Sequence, residues 1–70
     1  MKSNELLRRL RKLSARQGID FTIDKAKGKG GHVVVVFGER FSVVPSGSKE
    51  IKKGTLAAIC RQLGINATDL

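Results

Sequence analysis

This 70-residue chain carries one histidine and one cysteine, so any chemistry it performs is sparse. One Cys and one His cannot build a four-ligand structural zinc site within one chain. Cys60 has no intrachain disulfide partner, which points to a reducing, cytosolic setting. His32 has more telling neighbours. It follows Lys25-Ala26-Lys27-Gly28-Lys29-Gly30-Gly31, a run of lysines and glycines with no acid in it. Lysine ammonium groups attract phosphate, and glycines let a phosphate come close to backbone N–H groups. An imidazole beside such a loop could take the proton from a ribose 2′-hydroxyl, which then attacks the adjacent phosphate. Lysines and glycine N–H groups would stabilise the extra negative charge. Taken alone, one histidine is weak ground, because an inert surface or strand-end imidazole has the same sequence signature. The lysine-glycine run lacks the Gly-Lys-Ser/Thr ending of a P-loop. Ser46 and Ser48 read as turn residues, since no His–acid pair is in place to activate them.

The charge supports a polyanionic partner. Fourteen Lys and Arg against six Asp and Glu give +8. Residues 1–29 hold nine basic and three acidic side chains, a net of +6. The first 29 residues therefore dominate the positive field, with Lys27 and Lys29 nearest His32. Arg8, Arg9 and Arg11 are read either as phosphate contacts or as an ordinary solvated helix face. Lys52 and Lys53 form a second, smaller basic group. Tyr and Trp are absent and the three Phe fall at expected core positions, so aromatic stacking platforms for single-stranded bases are missing. No apolar run approaches the length of a membrane span, and Arg8, Arg9 and Arg11 interrupt any signal-peptide core.

The elements that must position these residues follow from periodicity. Leu6, Leu10 and Leu13, with Leu7 beside them, make an apolar stripe on a helix from about Ser3 to Gln17. Ser3 or Asn4 is expected to cap it and Gly18 to end it. Ile19, Phe21 and Ile23 alternate with polar residues as a strand does. Val33 to Phe37 reads as a second strand, Gly38-Glu39 as a tight hairpin turn, and Arg40 to Val44 as a third. Leu56, Ile59, Cys60 and Leu63 make the stripe of a second helix from about Lys52 to Leu63, ended by Gly64. Asn66 and Asp69 resemble the cap of a short final turn. The expected fold is α+β, one domain over residues 1–70, in the order α-β-β-β-α. It has a three-stranded antiparallel sheet, the second strand central, and two helices on one face.

Alternation then assigns faces. Ile19, Phe21, Ile23, Phe37, Phe41 and Val43 are expected to face the helices. His32 falls on the open face with Val34 and Val36, near Thr22, Ser42 and Val44. Val34 and Val36 on an uncovered face are read either as the seat of a protein partner or as two valines tolerable alone amid polar neighbours.

At this point the residues resemble a known family. Lys29-Gly30-Gly31-His32, then Val43-Val44-Pro45, then Gly54-Thr55-Leu56 with Ile59 and Leu63-Gly64-Ile65, look like the HicA toxins, the mRNA-cleaving partners of HicB antitoxins. The resemblance runs from the first helix to about Ile65. It implies a double-stranded-RNA-binding-domain-like fold and a metal-independent, cytoplasmic endoribonuclease without a cofactor. It implies a monomer, or a complex in which a HicB-type antitoxin masks the site. The family's catalytic histidine follows a glycine-serine pair at the start of the second strand. The matching residue here is His32, and Gly31 stands where serine is common. On this reading Lys27, Lys29, Gly30 and Gly31 hold phosphate, Lys52 and Lys53 extend the RNA track, and Val34 and Val36 meet the antitoxin. The competing reading is a non-catalytic basic RNA-binding module.

Overall fold

A computed structural model describes residues 1–25 and 30–70. The order is α1 (Ser3–Gln17), β1 (Phe21–Asp24), β2 (His32–Phe37), β3 (Arg40–Pro45), α2 (Lys53–Leu63) and a short 3₁₀ turn, Ala67–Asp69. The strands form one antiparallel meander with β2 central. The α-β-β-β-α arrangement and the α+β class are as the sequence predicts. Among the described residues no helix is long and apolar enough to cross a membrane.

Helix α1 forms because Leu6, Leu10 and Leu13 recur on one face, and all three are buried. Burying each such side chain contributes about 1.5–3 kcal/mol relative to leaving it exposed. The helix ends at Gly18, whose φ of +67° is the left-handed conformation a C-terminal glycine supplies. Its N-terminus differs from expectation. Lys2 holds the cap position without a side-chain cap bond, and neither Ser3 nor Asn4 caps. Ser3 is instead buried, its hydroxyl donating to the Lys49 carbonyl at 3.1 Å. The cause is a strap that periodicity does not reveal. The Ser3 N–H donates to the Lys49 carbonyl and the Ile51 N–H to the Met1 carbonyl, each at 2.9 Å. Lys2 and Glu50 thus form an antiparallel bridge, and Ile51 enters the core. The amino group of Met1 also donates to Glu50 and holds its carboxyl below the usual carboxylate range.

Helix α2 buries Ile59, Cys60 and Leu63, and Gly54 lies within its first turn. Burial, with a smaller contribution from the negative charge of Asp69, raises the Cys60 thiol pKa, so the group behaves as a small apolar side chain. The final turn is capped as expected, Asn66 N–H donating to Asp69 Oδ2 at 3.2 Å.

The register corrects one expectation about faces. Gly38-Glu39 is a two-residue turn in which Gly38 takes the positive φ of a primed hairpin, so Phe37 pairs directly with Arg40. Cross-strand partners share a face. Ser42 and Val44 therefore join Val33, Val35 and Phe37 on the helix side, and all five are buried. The Ser42 hydroxyl donates to Gln62 Oε1 of α2, which satisfies it there. Phe41 and Val43 fall on the opposite face, paired with Val36 and Val34, and remain 65% and 51% exposed. The alternation within β3 was visible in sequence, but its phase follows from the turn length, since a one-residue change of register reverses every side chain.

Candidate active site

The site is built where β2 begins. Gly30 and Gly31 carry φ of +57° and +84°, which turns the chain into the strand. His32 is the first strand residue, exposed, with Pro45 as its cross-strand partner. The ladder extends one step further, since Ser46 N–H donates to the Gly31 carbonyl at 2.7 Å. Alternation places His32 on the uncovered face with Val34 and Val36, as expected. Its neighbours there are Phe41 and Val43 rather than Ser42 and Val44.

Lys49 completes this corner. A Cβ built on Gly31 would lie 3.1 Å from Lys49 Nζ, so the ammonium group stands directly over the glycine. The strap that ties Lys49 to Ser3 holds it there. Sequence reasoning counted Lys49 only in the charge total, because its approach to Gly31 depends on a contact 18 residues apart in the chain.

His32 also lines a cleft of about 690 Å³ between α1, the end of β1, the start of β2 and the turn after β3. Arg8 and Arg11 of α1 and Lys25 after β1 line it, and among the described residues no carboxylate does. Arg11 is held in place, its guanidinium carbon 5.7 Å from the centre of the Phe21 ring. Arg8 lies 3.7 Å from Glu5. The sequence signal for this wall is the helical spacing of Asn4, Leu7, Arg8 and Arg11, which places all four on one side of α1.

Not every expected residue gathers here. Lys27 and Lys29 lie outside the described residues. Lys52 and Lys53 are exposed at the start of α2 and do not line the cleft. Val34 and Val36 are half-buried on the open face. Among the described residues no three His, Cys, Asp or Glu side chains cluster as metal ligands.

A family model described as the HicA toxin of bacterial toxin-antitoxin systems matches residues 4–65. The chain belongs to the HicA toxin family. Neither the curated proteins nor the solved structures contain a match. As a HicA toxin it is one half of a toxin–antitoxin pair, and the match spans α1 through the residue after Gly64, the segment that builds the cleft.

The backbone explains the residue at 31. A serine there, which the sequence resemblance leads one to expect, would be strained at φ of +84° and would press on Lys49 Nζ. Gly31→Ser is therefore expected to lower stability by about 1–3 kcal/mol in denaturant titration. An unchanged midpoint would show that the loop relaxes freely.

Proposed function

We propose that this HicA toxin is an endoribonuclease that cleaves mRNA with His32, needs no metal, and is neutralised by a HicB-type antitoxin. The observation that carries this reading is the placement of His32 at a cleft lined by Arg8, Arg11 and Lys25, with Lys49 over Gly31 and, among the described residues, no carboxylate lining it. Neutral His32 takes the proton of a ribose 2′-hydroxyl. The 2′-oxygen bonds to phosphorus, the bond to the 5′-oxygen breaks, and that oxygen takes a proton from water. In the reverse protonation state His32 serves as the acid for the leaving oxygen. The cations and the Gly30 and Gly31 backbone stabilise the charge that builds on the phosphate. Lys27 and Lys29, close to His32 in sequence, add to the same positive charge, and Lys52 and Lys53 carry the RNA backbone along the start of α2.

The antitoxin covers the open sheet face. Val34 and Val36 are joined there by Phe41 and Val43, which makes a broader apolar surface than two valines. Covering it places the partner beside His32, and a +8 chain favours an acidic partner.

Purified protein incubated with labelled mRNA in EDTA is expected to yield fragments ending in 2′,3′-cyclic phosphate and beginning with 5′-hydroxyl. Intact RNA after prolonged incubation with folded protein would favour the non-catalytic RNA-binding module, which shares the fold and the charge.

A further inference from the structure

The cleft beside His32 has a floor and a rim of different chemistry. Leu7, Ile23 and Val33 supply aliphatic surface, while Arg8, Arg11 and Lys25 supply charge around it. A site that held phosphate alone would need no aliphatic surface. At about 690 Å³ the cleft, open to solvent, has room for a small organic group.

We propose that this cleft seats one unpaired nucleobase next to the phosphate at His32, so that the substrate is single-stranded RNA. The proposal rests on the ribonuclease reading of the same corner and names what it recognises. A duplex keeps its bases stacked inside and presents phosphate and sugar, which would leave the aliphatic floor unfilled. An unpaired base lies its flat face on the half-buried Leu7 and Ile23, beside the buried Val33. The guanidinium groups of Arg8 and Arg11 flank it, either stacking on the ring or reaching the next phosphate. Arg11 is already fixed against Phe21, so part of its ordering cost is met before RNA arrives. Aliphatic side chains and arginine planes thus stand in for the aromatic platform that the composition lacks.

The test uses a trinucleotide with 2′-fluoro sugars, which binds without offering the attacking hydroxyl. On titration, the methyl NMR signals of Leu7, Ile23 and Val33 are expected to shift, while those of Ile59 and Leu63 stay still. Arg8→Ala should weaken binding roughly tenfold. Lys12→Ala, the same loss of charge at an exposed α1 position outside the cleft, should weaken it at most about threefold. Equal losses from the two variants would mean a diffuse field and overturn the proposal. So would floor methyls that do not respond, or a 2′-fluoro duplex that competes as well as the single strand. Binding here with no cleavage of natural RNA would sink the ribonuclease reading and leave the cleft standing. Cleavage with unresponsive floor methyls would do the reverse.

Discussion

His32→Ala is expected to reduce RNA cleavage by a factor of roughly 10²–10⁴, the usual contribution of a positioned general acid or base. Growth arrest on expression should disappear with it. The variant separates chemistry from folding unusually well. His32 is exposed at a strand end, so its loss opens no core cavity, and the variant should remain folded. The Arg8, Arg11, Lys25 and Lys49 field remains, so RNA affinity should fall little while turnover collapses. The paired measurement is therefore cleavage rate against affinity for a non-cleavable RNA. Full toxicity in His32→Ala would reject the histidine mechanism. A parallel fall in affinity and rate would make His32 a binding residue instead.

Phe41→Ala is expected to weaken the antitoxin complex by about 2 kcal/mol or more, a loss of roughly thirtyfold. Large aromatic side chains carry a disproportionate share of binding energy once a partner desolvates them. In the isolated chain Phe41 is 65% exposed and pairs with Val36 across the sheet, so the variant should fold normally and retain RNA cleavage. Co-expression with the antitoxin should then fail to restore growth. An unchanged dissociation constant would place the antitoxin on another surface.

Much of this molecule was legible from periodicity. The Leu6–Leu10–Leu13 stripe, the glycine stops at 18 and 64 and the valine-rich β2 each depend on contacts a few residues long. Local chemistry dictates them. What escaped depends on register and distance. The phase of β3 follows from how Gly38-Glu39 sets Phe37 opposite Arg40, and this moved Phe41 and Val43 to the open face. The seating of Ile51 and Lys49 follows from their pairing with Met1 and Ser3 across the length of the chain. His32 was visible as a candidate because glycines and lysines precede it directly. The cleft wall from α1 was present as a helical spacing, but a basic helix face has the same pattern whether it meets RNA or only solvent.

The Lys49–Ile51 strap has a genetic consequence. The corner around His32 draws on α1, on the ends of β1 and β2, on the turn after β3 and, through the strap, on Lys49. These parts are spread from α1 to Ile51, so the corner exists only when Met1 and Ser3 have paired with Ile51 and Lys49 across that span. A domain of this size has a thin stability margin, so one core substitution is enough to empty the folded state. Cells selected to survive the toxin without its antitoxin should therefore carry changes at Leu10, Val35 or Ile51 as readily as at His32.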